Sequence, residues 1–541
     1  MANISCPNNY RAHVAAVPLY KVFPPQQSKA VVCLSRFPLK MDLNMSVSAI
    51  GLTIFLFTVL LSFLLGWARK NNGRLSLPGP FALPIIGNLH QLGALPHRGL
   101  QRLAEKHGPI MLVKMGSVPV VVASSSQAAK QFLKTHDLNF ASRPATVAGK
   151  YLFYNRKDLV FAPYGAYWRN IRKICMMELL SAQRVESFKG VRDEEAFAMV
   201  RSIWEKSEQG RKGVDVSHSV ACYTSDLMWR ILTGRTNADR LSGGTTFEEL
   251  VWEGNELMGA VNIGDFIPCL ELLDLQGLRR RTENVHQRLD AVFDKIIDEH
   301  VKRKGRRGVK EEDERQKDLV DVLVDMEITV EEKKAILMDM FLAAIESSAS
   351  TVEWAMSELL RNLHVMKKLQ EEIDFILKKD EKLTSSHIVS MEYLHCVVKE
   401  TLRLYPIGPL LIPHESTKDS IVEGPHHDYF IPAKTRLIIN AWAIGRDPKV
   451  WKDPLEFRPE RFMGKNSDMI IDPELSMIPF GAGRRSCPGA SMAIANMKIA
   501  LLYLVHYFNW KCEGELDMEE SFGITIPRKV HLFAIPTWRL K

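Results

Sequence analysis

The sequence predicts a mainly α-helical protein: one large helical domain with a minor β-sheet region, preceded by a single N-terminal transmembrane helix. Three features support this fold class. The stretch "AIGLTIFLFTVLLSFLLGW" is almost wholly apolar and contains no charged residue. Segments such as "VEWAMSELLRNLHVMKKLQEEIDFIL" repeat apolar residues at the spacing of an amphipathic helix. Extended runs are few and short, and the clearest, "MLVKMGSVPVVVAS", lies early in the chain.

Residues 46–68 form the predicted membrane anchor, because about twenty apolar residues span a bilayer as a helix. The lack of a polar face disfavours a buried core helix. A cleaved secretory signal is disfavoured as well, since "GWAR" at the end of the apolar run is a poor cleavage site. The basic residues Arg69, Lys70 and Arg74 directly follow the anchor, which predicts a main domain on the cytoplasmic side.

Residues 1–45 precede the anchor and are basic and almost free of acidic residues. Two interpretations stay open: a targeting extension, or upstream sequence translated ahead of a true start at Met41 or Met45, which we favour. Residues 69–88 form a basic and proline-rich hinge, because the prolines of "LPGPFALPIIGN" resist both helix and sheet. Residues 89–541 form the main domain, in which the charge run "KRKGRRGVKEEDERQK" predicts a solvated loop between two helices.

The composition excludes several function classes. With 46% hydrophobic and 25% charged residues, the chain is typical of a globular protein with a sizeable core. The net charge is +8, and the sequence has no dense basic stripe with interleaved aromatic residues, so nucleic-acid binding is not expected. The 8 cysteines contain no CxxC pair, which disfavours a disulfide scaffold or a zinc site and indicates a reducing compartment.

The segment "FGAGRRSCPG" predicts a site that holds a metal or a nucleophile. Its glycines permit sharp turns and close approach to a ligand, and its arginines offer rigid donor groups. The apolar helical pattern that follows Pro488 places Cys487 at the start of a helix. Amide donors and the helix dipole at such a position favour a thiolate over a thiol.

Further clusters combine charged, aromatic and hydroxyl residues. In "KETLRLYP", Glu400 and Arg403 share one helical face, and "WRNIRK" places Trp168 and Arg172 on one face in the same way. "FRPERF" adds Arg461 in a loop interrupted by proline. Each of these patterns is common by itself and equally consistent with a surface pair. "FLAAIESSAST" puts polar residues inside an apolar helix, and such a broken local rule often marks a working site.

Taken together in this order, the motifs resemble those of the cytochrome P450 family, the haem-thiolate monooxygenases. The resemblance covers the chain from Pro78 to its end. "FGAGRRSCPG" matches the haem-binding loop, "KETLR" the Glu-x-x-Arg pair, "FRPERF" the downstream arginine motif and "WRNIR" the tryptophan–arginine helix. The anchor and hinge are similar to those of microsomal members. "FAPYGAYWRNIRK" is most similar to the plant A-type group, which acts largely on specialised metabolites. The resemblance therefore implies the cytochrome P450 fold.

The resemblance also implies haem b (iron protoporphyrin IX) as the cofactor. Cys487 would supply the axial thiolate to the iron, which favours O–O bond cleavage, and Phe480 belongs to the same haem-binding loop. The donors implied for the two haem propionates are Trp168, Arg172, His414 and Arg485. Many relatives have arginine in place of His414. The buried ionic network implied to brace the cysteine side of the domain consists of Glu400, Arg403 and Arg461.

The helix that contains "FLAAIESSAS" departs from the family pattern Gly-x-Asp-Thr, where this chain has Ala344, Ile345, Glu346 and Ser347. By this resemblance, Glu346 and Ser347 would be the catalytic pair that delivers protons to bound dioxygen. Ser348 lies about 100° further round the helix and is expected to face away. The substrate-contact residues implied by the family are Ala343, Leu411 and Ile524.

The function implied is that of a single-pass endoplasmic-reticulum monooxygenase whose catalytic domain is cytoplasmic. It would insert one oxygen atom of dioxygen into a small apolar plant metabolite, a terpenoid or a phenylpropanoid. The sequence has no nicotinamide or flavin fingerprint, so electrons from NADPH would come through a separate NADPH–cytochrome P450 reductase. The expected partners are this reductase, the substrate and the lipid bilayer, with no nucleic acid. An oxygen-independent haem-thiolate isomerase or dehydratase, and a non-catalytic membrane haem protein, remain as alternatives.

Overall fold

Helices make up most of the chain that the computed structural model describes. The described residues are 77–235, 246–306, 317–377, 382–425, 427–464, 472–512 and 514–540, together with Thr53, Ile54, Phe57 and Leu61. These last four residues are helical. The predicted extension 1–45, the rest of the predicted anchor 46–68 and the hinge as far as residue 76 lie outside the described residues.

The α-helices are numbered here in chain order. They are α1 (Leu89–Leu92), α2 (Pro96–His107), α3 (Ser126–Lys130), α4 (Val147–Tyr151), α5 (Ala166–Ile174), α6 (Ala182–Ser187), α7 (Lys189–Lys206), α8 (Val216–Thr233), α9 (Phe247–Gly259), α10 (Ile263–Phe266), α11 (Leu278–Arg306), α12 (Leu319–Asp325), α13 (Val330–Arg361), α14 (Leu363–Ile376), α15 (Glu392–Leu404), α16 (Ala441–Ile444) and α17 (Ala490–Tyr507). Short 3₁₀ segments lie at Asp137–Phe140, Pro268–Leu273, Ser385–Ser390, Pro459–Phe462 and Gly483–Arg485, and π-helical turns at Gln131–Thr135 and Cys175–Leu179.

Within the described residues, the strands form three small sheets. They are β1 (Ile110–Met115), β2 (Val118–Ala123), β3 (Val214–Asp215), β4 (His414–Glu415), β5 (Ser420–Val422), β6 (Tyr429–Ile431), β7 (Arg436–Ile439), β8 (Phe508–Lys511) and β9 (Phe533–Trp538). The sheet orders are β1-β2-β7-β4, β3-β9-β8 and β5-β6. The early segment "MLVKMGSVPVVVAS" forms the antiparallel hairpin β1–β2, and β7 pairs with β2 in parallel. The prediction of a helical protein with minor sheet is therefore confirmed.

Helix α13 runs through the core and packs against α8 and α17. It begins at a capping box, in which the Thr329 side chain accepts from the Glu332 amide and the Glu332 carboxylate accepts from the Thr329 amide. Helices α13 and α17 are each long and apolar enough to cross a bilayer, but 78% and 72% of their most apolar windows are buried in the protein. Both are therefore core helices of the main domain.

Helix α11 continues further than the charge pattern predicts. It ends at Arg306, so the first five residues of the charge run, 302–306, are helical and not loop. The helix continues because Arg303 donates to Asp318 at 3.1 Å and to Asp321 at 2.5 Å, which ties its last turn to the start of α12. Residues 307–316 lie outside the described part of the chain.

Glu400 is the centre of a buried ion-pair network. Arg403 donates through Nε and Nη2 to the two carboxylate oxygens of Glu400, each at 2.7 Å, and both side chains are 0% exposed. Arg461 Nε donates to the same carboxylate at 2.9 Å. The remaining guanidinium donor of Arg403, Nη1, donates to the carbonyl oxygens of Gly445 and Pro454. The predicted network of these three charged residues is confirmed, and the surface-pair interpretation is excluded.

We expect Glu400→Ala to lower the free energy of unfolding by about 3–5 kcal/mol, because it leaves the buried Arg403 charge without its carboxylate. The matched control is Glu371→Ala on α14, where the pair with Lys367 is 3.8 Å long and its side chains are 63% and 77% exposed. This exposed pair is expected to contribute less than about 1 kcal/mol. Urea denaturation followed by far-ultraviolet circular dichroism measures both. An equal loss of unfolding free energy in the two variants would contradict the assignment of Glu400 to a buried ion-pair network.

Candidate active site

The loop "FGAGRRSCPG" turns sharply and brings Cys487 to the start of α17. Gly481 and Gly483 have φ angles of 66° and 70°, in the left-handed region that side chains disfavour. A Cβ atom on Gly483 would lie 2.3 Å from the carbonyl oxygen of Leu133, so no larger residue fits there. The Cys487 amide donates to the carbonyl oxygen of Phe480 at 2.8 Å and closes the loop. Backbone geometry therefore fixes the position of the cysteine.

The thiol of Cys487 has an accessible face although the residue is enclosed by the domain, so it lines an internal space. Burial raises the pKa of this thiol and outweighs the opposing effects of the Gly489 amide and the Arg172 guanidinium. The prediction that the helix start favours a thiolate is therefore wrong for the protein alone, because desolvation is the larger effect. A metal cation at Sγ would reverse the balance, since a coordinating thiol is deprotonated.

One face of α13 is accessible in the middle of an otherwise buried helix. Its residues are Met340, Ala343, Ala344 and Ser347, spaced at i, i+3, i+4 and i+7. This spacing is that of a single helical face, so the four side chains border the same space. Neighbouring residues such as Ile345 are buried against the core. The accessible face of α13 is therefore a pocket wall, mostly apolar with one hydroxyl.

Two loops complete the surroundings of the cysteine loop. Leu411 Cδ1 lies 3.7 Å from the position that a Cβ atom would occupy on Gly481, so Leu411 contacts the cysteine loop. The Ile526 amide donates to the carbonyl oxygen of Ile407 at 3.0 Å, which joins the C-terminal loop to the segment that contains Leu411. Leu411 and Ile524 are both partly exposed. The structure thus places two of the three predicted substrate-contact residues on connected loops, and the third, Ala343, on the accessible face of α13.

Glu346 points away from this face. Its carboxylate accepts a hydrogen bond from the Thr525 hydroxyl and interacts with the Asn255 side chain on α9. Burial raises the pKa of Glu346, and these two partners oppose the shift. Glu346 therefore connects α13 to the C-terminal loop and to α9, and among the described residues no direct hydrogen bond joins it to Ser347.

Ser347 carries the hydroxyl on the accessible face of α13. Its Oγ donates to the carbonyl oxygen of Ala343, one turn earlier, at 2.6 Å, which leaves the oxygen able to accept from a ligand or water. Ser348 is 2% exposed, and its Oγ has no hydrogen-bond partner within the described chain. Of the two serines, Ser347 therefore lines the pocket and Ser348 faces the core.

Trp168 and Arg485 form a stacked pair beside the cysteine loop. The Arg485 guanidinium lies 4.0 Å from the centre of the Trp168 ring. Trp168 Nε1 donates to the carbonyl oxygen of Leu159 at 2.9 Å. Arg485 donates to the carbonyl oxygens of Ala141 at 2.7 Å, Leu159 at 3.2 Å and Ala162 at 2.5 Å. The loop that precedes α5 therefore holds both side chains in place.

Arg172 and His414 lie in the same region, together with Phe480. Arg172 Nη2 donates to the carbonyl oxygen of Ser486 at 2.9 Å, next to the cysteine in sequence. His414 Nδ1 donates to the carbonyl oxygen of Phe140 at 2.8 Å. Burial and the neighbouring guanidinium groups lower the pKa of His414 well below its ordinary value, so this ring is neutral. Phe480 is partly buried and packs against the hydrophobic core.

Arg143 belongs to this region as well, and sequence reasoning missed it. It is 6% exposed, and it donates to the carbonyl oxygens of Val160 at 3.2 Å and Pro413 at 3.0 Å. It interacts electrostatically with Arg172 and Arg485. Its local sequence, "FASRP", resembles many surface loops, and only burial beside two other guanidinium groups reveals the residue.

The guanidinium groups of Arg143, Arg172 and Arg485 concentrate positive charge in a buried place. Burial lowers the pKa of Arg485 to about 8 and that of Arg143 to about 9, and neighbouring arginines add to both shifts. Asp158 is the carboxylate that opposes these shifts, and one such charge does not balance three. A ligand with two carboxylates next to a cation at Cys487 Sγ would meet both requirements. The residues present therefore fit haem, with its iron and two propionates.

An internal thiol beside buried donors for two carboxylates defines the class of the haem-thiolate proteins. The chain belongs to the cytochrome P450 family, whose family model matches residues 77–533. It is 49% identical to cytochrome P450 750A1 of Pinus taeda over 490 residues, which cover 87% of this chain and 92% of that protein. It is 40% identical to 3,9-dihydroxypterocarpan 6A-monooxygenase of Glycine max (89% and 96% covered) and 39% identical to germacrene A hydroxylase of Barnadesia spinosa (92% and 98% covered). The prediction of a cytochrome P450 monooxygenase is confirmed.

We expect Cys487→Ala to abolish the red-shifted Soret band that reduced, carbon-monoxide-bound haem shows opposite a thiolate. The reason is that Cys487 Sγ is the thiol that the cysteine loop brings to the start of α17, where it is accessible. Cys512→Ala is the matched control, because Cys512 is also partly buried and lies after the end of the same helix, α17. The control should keep the band. A histidine-type spectrum in the wild-type protein would contradict thiolate ligation by Cys487.

Proposed function

We propose that this protein is a membrane-anchored monooxygenase that oxidises a small apolar plant metabolite, a terpenoid or a phenylpropanoid. The observation that carries the proposal is the accessible face of α13, which presents three apolar side chains and one hydroxyl, in a domain whose Cys487 thiol is also accessible. The names of two relatives describe hydroxylation of germacrene A and monooxygenation of 3,9-dihydroxypterocarpan. We extend these two substrate classes to this chain.

Cys487 would hold the iron of haem b through its thiolate, and the bound group would supply activation of dioxygen. The protein's part is to hold and orient this group. Arg143, Arg172 and Arg485 supply charged donors for two carboxylates, and Trp168 keeps Arg485 in a fixed plane through the stacked contact. These arginine forks match the geometry of carboxylates better than flexible point charges would.

The apolar wall selects the substrate and excludes water. Met340, Ala343 and Ala344 on α13, with Leu411 and Ile524 on the two loops, present hydrocarbon to the pocket. A substrate with little hydrogen-bonding capacity loses least on entering such a space, and burying its apolar surface stabilises the complex by about 25 cal/mol per Å². Ala344 and Ile345 stand where many relatives have glycine and a variable residue. Ala344 narrows the pocket beside the hydroxyl.

Ser347 is the residue that we assign to proton delivery. Its Oγ is the hydroxyl on the accessible face of α13, and a positioned hydroxyl can hold a proton and pass it on without carrying a charge. Glu346 is the adjacent acid. Burial raises its pKa and so favours the protonated form, but its hydrogen bond with Thr525 directs it away from Ser347. We therefore expect Ser347 to contribute more to proton delivery than Glu346 does.

The electron supply and the membrane belong to the same proposal. Electrons from NADPH would arrive through a separate NADPH–cytochrome P450 reductase, because the sequence carries no nucleotide-binding fingerprint of its own. Residues 46–68 would anchor the protein in the endoplasmic reticulum by a single span, with the catalytic domain in the cytoplasm. Within that segment Ile54, Phe57 and Leu61 are helical and exposed, which supports contact with lipid.

We expect Ser347→Ala to bind haem and keep the thiolate signature, yet to release more reducing equivalents as hydrogen peroxide and fewer as product. The loss of a positioned proton donor typically costs about 10²–10⁴-fold in the step it serves. Glu346→Gln should slow turnover with a smaller loss of coupling. The measurement is the ratio of product to NADPH consumed, in microsomes supplied with reductase and a panel of terpenes and phenolics. Ser348→Ala is the matched control and should behave like the wild type.

Loss of coupling in Ser348→Ala with none in Ser347→Ala would place the pocket on the other face of α13 and contradict this assignment. Unchanged coupling in all three variants would favour a proton route through water and substrate. Turnover without oxygen would favour the isomerase or dehydratase, and absence of any substrate-dependent NADPH consumption across the panel would favour a non-catalytic haem protein.

A truncated protein that begins at Arg69 is expected to lose firm membrane attachment, because the apolar segment supplies most of the hydrocarbon that enters the bilayer. It should keep its thiolate spectrum, since the main domain begins later. Extraction of microsomes with alkaline carbonate measures the effect: the full chain should stay in the pellet and the truncated chain should move largely to the supernatant. Equal extraction of both proteins would contradict the anchor.

A further inference from the structure

Two buried aspartates lie next to each other on the side of α13 that faces the loop before α5. Asp158 is 0% exposed and Asp339 is 7% exposed. The Asp339 carboxylate accepts the Leu159 amide through Oδ2 at 2.6 Å. Asp158 Oδ2 accepts the amides of Val160 at 3.0 Å and Phe161 at 2.7 Å. One oxygen of each carboxyl group therefore accepts hydrogen bonds from backbone amides.

The other oxygens have no such donor. Oδ1 of Asp158 and Oδ1 of Asp339 accept no hydrogen bond from any residue in the described parts of the chain. The two side chains are, however, within hydrogen-bonding contact of each other. Two ionised carboxylates in contact in a buried place repel strongly, whereas a single proton between them satisfies both unpaired oxygens. The geometry therefore favours a single proton shared by the Asp158 and Asp339 carboxyl groups.

The groups around the pair decide which carboxyl keeps the proton. Asp158 faces the guanidinium groups of Arg143 and Arg485, which favour its ionised form. The charge of Asp158 disfavours the ionised form of Asp339. The other titratable neighbours of Asp339, Tyr167 and Cys175, carry no positive charge. Burial and the Asp158 charge raise the pKa of Asp339 well above its ordinary value. The proton therefore resides mainly on Asp339, and the negative charge on Asp158.

The pair fixes the loop that holds the donors of the haem site. Loop residues 158–162 present the Leu159 carbonyl to Trp168 and Arg485, and the Ala162 carbonyl to Arg485. The Val160 carbonyl of the same loop accepts from Arg143. The Asp158 carboxylate shapes this loop by accepting hydrogen bonds from two backbone amides. Asp339 accepts the Leu159 amide and so attaches the loop to α13. The side chains that would hold the carboxylates of haem depend on this attachment.

We propose that Asp158 and Asp339 share one proton and act as a positioning pair, so that retention of haem by this protein requires that proton. The inference rests on the haem site of the proposed function and adds two residues that do not touch the cofactor. Loss of the proton would leave two adjacent negative charges, separate loop 158–162 from α13 and loosen the arginine donors.

The direction of the pH dependence follows from the pKa shifts. Burial and the charge of Asp158 raise the pKa of Asp339, the carboxyl group that keeps the shared proton, well above its ordinary value. A carboxyl group with a raised folded pKa stabilises fully below the ordinary aspartate value and loses this contribution as pH rises through the folded value. Haem should therefore be held firmly while Asp339 is protonated and released faster as pH rises through the raised pKa of Asp339.

The experiment measures transfer of haem from the loaded protein to excess apomyoglobin, between about pH 6 and about pH 9, together with the thiolate band. For the wild type we expect the rate to rise roughly tenfold or more over this range, since one pKa unit corresponds to a factor of ten. Asp339→Asn replaces the shared proton with an amide N–H, and its amide oxygen can still accept the Leu159 amide. The rate for this variant should stay low and nearly constant with pH.

The matched control is Glu353→Gln. Glu353 is another buried carboxyl group on α13, and burial raises its pKa to about 7, but its partners are Ser217 and Arg528. This variant should show the same rise in haem transfer with pH as the wild type. Asp339→Leu removes both the proton and the Leu159 contact, and it should lose haem quickly at every pH. Retention of haem by Asp339→Asn but not by Asp339→Leu would show that hydrogen bonding at this position, and not the volume of the side chain, holds the loop.

Infrared spectroscopy of the wild type, with aspartate labelled at the side-chain carboxyl carbon, keeps the proposal testable if a variant does not fold. A label-sensitive band of a protonated carboxylic acid should be present at neutral pH and should disappear in step with haem release. Absence of that band, or haem transfer that does not change with pH, would overturn the shared proton. A protein that shows no thiolate band at any pH would instead contradict the haem site of the proposed function.

Discussion

The burial of the Arg143, Arg172 and Arg485 guanidinium groups close to one another, opposed by the charge of Asp158, is the constraint on which the rest of the site depends. Buried charge is costly unless it is paired and hydrogen-bonded, so the protein supplies backbone carbonyls for the donors that face inward. Those carbonyls come from loop 158–162 and from the cysteine loop, where Ser486 accepts from Arg172. Fixing the arginines thereby fixes the loop that carries Cys487.

The sequence was sufficient where a motif is local. Glu400 and Arg403 lie one helical turn apart, and the structure pairs them as predicted because that spacing places both side chains on one face of α15. The sequence was insufficient where burial determines the protonation state or the role of a residue. The helix start near Cys487 suggested a thiolate, but desolvation raises the thiol pKa, and desolvation depends on the whole fold. Arg143 went unnoticed for the same reason, since it acquires its role only through residues distant in sequence.

Helix α13 separates two roles that the family pattern places side by side. Ser347 lies on the accessible face, whereas Glu346, the next residue back, bonds with Thr525 and contacts Asn255 in the surrounding structure. Sequence alignment paired the acid and the alcohol because they are adjacent, but adjacent helical residues point about 100° apart. The hydroxyl is thus free to meet a ligand, and the acid joins α13 to the loop that contributes Ile524.

The same helix connects the pocket to the donors of the carboxylate site. Asp339 and Ser347 are eight residues apart, which corresponds to about 12 Å along α13. A helix this well buried moves as a rigid rod, so its attachment to loop 158–162 through Asp339 also fixes the height of Ser347 in the pocket. The orientation of the cofactor and the position of the Ser347 hydroxyl therefore depend on the same attachment. A change that weakens the attachment at Asp339 would alter both, whereas a change at Ser347, whose hydroxyl bonds to Ala343 within α13, would alter the pocket alone.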